Sequence, residues 1–158
     1  MNIRVQTSCI IVKDNHIAMI KKKDPKYRTY NKYIPPGGHV ENFEKLESAC
    51  IREVKEETNL IVDKLELKGI VTFLGYKDNY HSVCFFYVAK EVKGNLLSNE
   101  PEKQTSHWLS LDNIQSNENM TDYHKAILKE IIDKDKFANA NIEWMPPNDE
   151  LKWIIESS

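Results

Sequence analysis

The sequence predicts a single mixed α/β domain over residues 1–158, and three features lead to that class. The chain has 158 residues, 41% of them apolar and 29% charged, the proportions of one globular domain. Runs rich in β-branched and aromatic residues recur along it, each bounded by a short polar or glycine-containing turn. Two stretches free of glycine and proline have the length of ordinary helices.

Ile3 to Val12 is apolar and β-branched and reads as a strand; Lys13-Asp14-Asn15 is a turn, and His16 to Ile20 is the returning strand. A basic loop follows, Lys21 to Lys32, carrying Lys21, Lys22, Lys23, Lys26, Arg28 and Lys32. Tyr33 and Ile34 lead into Pro35-Pro36-Gly37-Gly38, expected to break helix and strand alike. Glu44 to Thr58 reads as a helix, with Asn42 as its N-cap and Asn59 as the left-handed residue that ends it. Leu65 to Tyr76 and Tyr80 to Val92 form a hairpin across Lys77-Asp78-Asn79. Leu96 to Ser106 is polar, contains Pro101 and reads as a loop, before a short strand at Trp108-Leu109. Tyr123 to Ile132 reads as a second helix, capped by Thr121 or Asp122. Asn141 to Met145 and Leu151 to Ile155 flank Pro146-Pro147-Asn148-Asp149 as a closing hairpin.

Composition excludes several roles. Lys plus Arg total 22 against 24 for Asp plus Glu, a formal net charge of −2, so no polybasic surface is available to grip a nucleic-acid polymer. No apolar run reaches the roughly 18 residues of a membrane helix, and Met1 to Arg4 lacks a signal-peptide layout. Cys9, Cys50 and Cys84 are odd in number, lie in apolar stretches and lack metal-site spacing, as expected of reduced core thiols in a cytoplasmic protein. His39, His81, His107 and His124 show no zinc spacing, and Trp108, Trp144 and Trp153 read as core.

The chemistry is concentrated on the first helix. At roughly 100° per residue, Leu46, Ala49, Cys50 and Val54 share one side, and Glu53 and Glu57 continue it with Glu56 at its edge. An unpaired carboxylate taken from water costs several kcal/mol, and two adjacent ones repel. A divalent cation relieves both problems, and an all-oxygen donor set suits Mg²⁺ or Mn²⁺ rather than zinc. The plainer alternative is a solvated acidic face with pairs such as Arg52–Glu56. The preceding loop favours the first reading: Gly37 and Gly38 permit close backbone approach, and the basic loop offers cations for phosphate oxygens.

Gly38, five residues, Glu44, seven residues and then Arg52-Glu53-Val54-Lys55-Glu56-Glu57-Thr58-Asn59-Leu60 resembles the Nudix box. That pattern is Gly-x5-Glu-x7-Arg-Glu-aliphatic-x-Glu-Glu-x-Gly-aliphatic, and only its last glycine differs, being Asn59 here. Asn tolerates the left-handed conformation better than other non-glycine residues, so the change is mild. The resemblance implies a Nudix fold, a mixed β-sheet sandwiched between α-helices. It also implies a hydrolase that cleaves a phosphoanhydride bond with Mg²⁺ or Mn²⁺. Carried over by position, it makes Glu53 and Glu57 the principal metal ligands, Glu56 a further ligand or water-orienting group, and the Gly38 carbonyl another ligand. Arg52 would hold the glutamates, Glu44 would brace the loop-to-helix junction, and Glu56, Glu100 or Glu102 would act as general base.

The implied substrate is a small nucleotide, bound by a monomer or homodimer. Glu100-Pro101-Glu102-Lys103, the Lys136-Phe137 step and the closing hairpin resemble the MutT-like branch, whose substrates are triphosphates such as 8-oxo-dGTP. Lys23 and Arg28 are the candidate phosphate contacts; Tyr33, Phe73 or Tyr123 would stack on the base, and Asp122 would read its edge. Two other readings are an ADP-ribose type of pyrophosphatase and a non-catalytic nucleotide sensor, the latter disfavoured because every box glutamate is kept.

Overall fold

A computed structural model of the chain describes residues 2–158. The strands, in chain order, are β1 (Arg4–Ile10), β2 (Val12–Lys13), β3 (His16–Lys22), β4 (Tyr33–Ile34) and β5 (Gly37–His39). Then come β6 (Ile61–Gly75), β7 (Tyr80–Lys93), β8 (Gln104–Ser110), β9 (Ala138–Met145) and β10 (Glu150–Ser157). A six-stranded sheet runs β10-β9-β6-β7-β1-β5, and a smaller sheet gathers β2, β4 and β8 around β3. The larger sheet is mixed: β1 runs parallel to β7 and β6 parallel to β9, while β6 and β7 form a long antiparallel hairpin.

Helix α1 (Leu46–Thr58) buries Ala49, Cys50 and Val54, and Cys50 and Val54 pack with Cys9, Ile11, Ala18, Val62 and Tyr87. Helix α2 (Asp122–Leu128) runs on into a π-helical turn, Lys129–Asp133. It buries Tyr123, Ile127 and Leu128 against Val71, Phe86, Ala140 and Ile142. The mixed sheet therefore lies between helices, the architecture the sequence predicts.

Three local expectations are corrected. Helix α1 begins at Leu46 rather than Glu44, and its cap position is Lys45, with no side-chain cap bond, rather than Asn42. A tight turn displaces the predicted start: the Glu44 N–H donates to the Glu41 carbonyl at 3.1 Å, and Phe43 is left-handed with φ 63°. The Pro35–Gly38 segment breaks strand structure at its prolines, which separate β4 from β5, but not at its glycines, because Gly37 to His39 pair with β1 at Ser8, Thr7 and Gln6. The loop expected to last until Ser106 ends earlier, since β8 starts at Gln104 and pairs with β3 from Lys22 to His16. That partner is distant in sequence, so local polarity could not reveal it.

Close packing of β5 on β1 depends on Gly37, where a Cβ would run into the Thr7 carbonyl oxygen. Gly37→Ala is expected to cost more than about 2 kcal/mol of stability through this backbone clash. Urea unfolding checks it; an unchanged midpoint would show that the strand moves aside freely.

Candidate active site

Strands β1, β3, β4, β5, β6, β7 and β9 and the two helices surround a cavity of about 670 Å³. Two groups of side chains define its chemistry. One gathers Glu53 and Glu57 of α1 with Gly37, Gly38 and Lys22; the other gathers Phe73, Tyr123, His124 and Trp144 with Arg28 and Asp78.

Glu57 is the acid most completely removed from water, with its side chain 7% exposed. Its Oε1 accepts from the Gly37 N–H at 2.7 Å and its Oε2 from Gln104 Nε2 at 2.8 Å. Lys22 Nζ stands 3.8 Å from Oε2. Burial nevertheless pushes the Glu57 carboxyl up to about 7, because two neutral donors and one offset ammonium do not replace its hydration. Glu53 is also raised by burial, against the lowering effect of Arg52. Its carboxylate presses on Gly38, where a Cβ would lie 2.5 to 2.7 Å from the carboxylate atoms.

Arg52 organises the acids from the other side. Its guanidinium donates from Nε and Nη2 to both Glu44 oxygens at 2.8 and 2.9 Å, and from Nη2 to the His39 carbonyl at 3.0 Å. Nη1 reaches Glu53 at 2.9 Å and Glu56 at 3.3 Å. The bidentate pair holds the Glu44 carboxyl well below the usual carboxylate range. Helix α1 ends at Asn59, left-handed with φ 67°, and Asn99 Nδ2 donates to the Lys55 and Glu56 carbonyls of its last turn.

The aromatic group is built from distant elements. Phe73 of β6 stacks on Trp144 of β9, with centroids 6.3 Å apart, and Tyr123 of α2 meets both edge-on. Arg28 lies over the Trp144 ring at 4.4 Å. Its guanidinium is held by Asp149 at 2.8 Å and Asp78 at 3.0 Å. An aromatic wall and an acidic recess sharing one cavity suit a ligand with a flat ring and a phosphate chain.

The NUDIX domain model matches residues 2–131. The chain belongs to the Nudix family. A Nudix hydrolase of Bacillus subtilis strain 168, YvcI, itself uncharacterised, is 30% identical over 114 residues, 70% of this chain and 68% of that protein. An ADP-ribose pyrophosphatase of Methanocaldococcus jannaschii is 31% identical over 105 residues, 66% of this chain and 60% of that protein's length. Among solved structures, a MutT protein from Bacillus halodurans matches with a TM-score of 0.81 at 25% identity, covering 98% of each chain. Nudix enzymes act on pyrophosphate bonds of small nucleotides and generally use divalent metal ions, and this chain is a Nudix hydrolase.

Within the Nudix box, Glu53, Glu57 and Gly38 line the cavity, whereas Glu56 does not. Its side chain is 55% exposed and drawn outward by Arg52. Among the described residues no three acidic, His or Cys side chains are gathered tightly enough to ligate one ion as they stand. Glu57 accepts from the Gly37 N–H and Gln104, and Glu53 from Arg52.

Outside the box, several expected contacts move. Lys22, not Lys23, reaches Glu57; period two along β3 from Ala18, which packs on α1, puts Lys22 on the helix side. Arg28 lines the cavity, but its guanidinium is bound to two aspartates rather than free for phosphate. Phe73 and Tyr123 line it as expected. Tyr33 packs edge-on against His107 outside it. Asp122 is exposed in the first turn of α2, and the next two residues, Tyr123 and His124, face inward in its place. Glu102 is exposed outside the cavity, and Gln104, two residues on, reaches Glu57. Trp144 packs against the core, as expected, and also forms part of the wall.

His124 is buried and shares a 2.8 Å contact between its Nδ1 and Thr121 Oγ1. Burial lowers it from 6.5 to about 4, so the folded chain takes up its proton later than the unfolded chain. The stability it contributes is complete above pH 6.5 and is lost as pH falls towards 4. Between pH 7 and pH 5 the expected loss is roughly 2 kcal/mol. Chemical unfolding of the wild type and His124→Gln at both pH values checks this, because the variant should lack that part of the pH dependence.

Proposed function

We propose that this chain hydrolyses a nucleoside triphosphate to the monophosphate and pyrophosphate, with 8-oxo-dGTP and other deoxynucleotides as the first substrates to try. The observation that carries the reading is a single cavity joining the Glu53–Glu57 recess to the Phe73–Tyr123–Trp144 wall. The wall takes the base by stacking. The recess takes the phosphates, with Lys22 as the ammonium nearest the acids.

The residues fit a divalent cation. Glu57 is desolvated and short of positive charge, its carboxyl lifted to about 7, and a nearby cation favours its ionised form. The donors are hard oxygens, suited to Mg²⁺ or Mn²⁺. We assign Glu53, Glu57 and the Gly38 carbonyl as its ligands, with Glu56 as the further carboxylate. When bound, such a cation neutralises charge on phosphate oxygens and acidifies water.

The protein's own residues supply position and exclusion. Gln104 and the Gly37 N–H fix the two Glu57 oxygens. Arg52 keeps Glu53 in place and shares its Nη1 with Glu56. Glu56, exposed and outside the cavity lining, is the carboxylate we assign as proton acceptor for the attacking water. Glu56 is preferred because Arg52 Nη1 ties it to Glu53, whereas Glu100 is paired with Lys103 at 2.8 Å and Gln104 rather than Glu102 reaches Glu57.

The second reading, an ADP-ribose type of substrate, is supported by the Methanocaldococcus relative, which is named ADP-ribose pyrophosphatase. The full-length match to the Bacillus halodurans MutT protein, including the hairpin that supplies Trp144, supports the triphosphate. Incubation with Mg²⁺ and a nucleotide panel distinguishes them. Pyrophosphate plus a monophosphate is expected, whereas AMP plus ribose phosphate would move the assignment to the second substrate. Glu57→Gln should keep the fold and lower turnover by about two orders of magnitude or more. Near-normal turnover in that variant would sink the ligand assignment.

A further inference from the structure

β10 is the outermost strand of the six-stranded sheet, and among the described residues nothing pairs with its far side. The strand has eight residues and contains no proline or glycine. Its hydrogen-bonding phase is fixed by the next residue, because Phe137 and Ser158 exchange both backbone bonds, at 2.8 and 3.0 Å. Residues of an antiparallel ladder alternate between facing the partner and facing away. Lys152, Ile154 and Glu156 therefore turn their N–H and C=O groups towards β9, while Leu151, Trp153, Ile155 and Ser157 turn theirs outward. Such an edge is a template for another strand. Its side chains are unusually apolar for an edge, with Leu151 42%, Trp153 38% and Ile154 66% exposed.

Charge and phase together select the occupant. We propose that it is β10 of a second copy of this chain, paired antiparallel about a two-fold axis through Ile154. Outward-facing backbone groups must meet outward-facing ones, so the axis passes through a residue. With Ile154 on the axis, Lys152 of each copy lies opposite Glu156 of the other, an attractive pair formed twice. Ile154 meets its own copy, and Trp153 lies opposite Ile155 with both backbone bonds available. The neighbouring registers lose this match. An axis at Trp153 sets Glu150 against Glu156, and one at Lys152 sets lysine against lysine. An axis at Ile155 puts Ile154 opposite Glu156 and forms no charge pair.

The faces agree with this register. Lys152, Ile154 and Glu156 share the side of Glu143, Asn141 and Asn139, their partners on β9, and both asparagines are exposed. Lys152 would thus stand between Glu143 of its own hairpin and Glu156 of the other copy. Because the contact is isologous, it closes as a dimer and does not propagate. The contact also adjoins the cavity wall, since Leu151 is the register partner of Trp144.

Sedimentation velocity on the full chain tests the proposal over about 1 to 200 µM, the range in which a small strand-edge contact associates. The mass is expected to rise from 18.5 kDa towards twice that value with concentration. Lys152→Glu should raise the dissociation constant about tenfold or more, and the double variant Lys152→Glu/Glu156→Lys should restore wild-type association. Ile154→Lys, at an exposed axial position, should dissociate the dimer independently, with circular dichroism reporting that the fold is kept. A wild type that stays monomeric throughout overturns the proposal. So does a dimer indifferent to Ile154→Lys, or a folded charge swap that fails to restore association.

Discussion

The Glu57 carboxylate is docked out of water against β5, whose two glycines leave no room for a side chain. Gly37 lets β5 lie against the Thr7 carbonyl, and its N–H then reaches Glu57 Oε1 at 2.7 Å. That bond ties helix α1 to the edge of the main sheet at the point where the cavity opens. Desolvating a carboxylate costs several kcal/mol unless it is compensated, so its neighbours are constrained too. Gln104 arrives from β8 and Lys22 from β3, the two partners of one ladder.

The acids are held by an asymmetric arrangement of charge. Arg52 lies behind them, binding Glu44 in bidentate fashion and Glu53 and Glu56 through one nitrogen. On the cavity side, among the described residues, only the Lys22 ammonium pairs with Glu57, at 3.8 Å. Negative charge in that recess is therefore positioned but incompletely neutralised, an electrostatic environment that favours a cation. The α1 terminus is equally fixed, with Asn59 left-handed and Asn99 occupying the last carbonyls. Precise placement of the carboxylates follows from both constraints rather than from the helix alone.

The β9–β10 hairpin is more than a closing element. The NUDIX domain model ends at residue 131, before the hairpin begins. Yet Trp144 completes the aromatic wall, and Asp149 anchors Arg28 from the β3–β4 loop. Parallel pairing of β9 with β6 brings Trp144 beside Phe73, two residues 71 positions apart by subtraction of their numbers. The hairpin thus shapes the aromatic end of the cavity, while the box supplies the acids.

The α1 stripe and the spacing from Gly38 to Leu60 were legible in the sequence because both are local: helical periodicity places Glu53 and Glu57 on the buried side whatever the rest of the chain does. Asn59 was legible for the same reason, being a terminus signal read within one turn. The hairpins read at 65–92 and 141–155 followed from β-branched and aromatic runs flanking turn residues, and their strands extend a few residues further, to 61–93 and 138–157. Tertiary structure alone decided which groups meet those acids and which form the wall. Lys22 rather than Lys23, Gln104 rather than Glu102 and the cavity-lining role of Trp144 all depend on strand register and on pairings between distant segments. A one-residue change of register turns a side chain to the opposite face, and no local pattern fixes the register of strands that meet across many tens of residues.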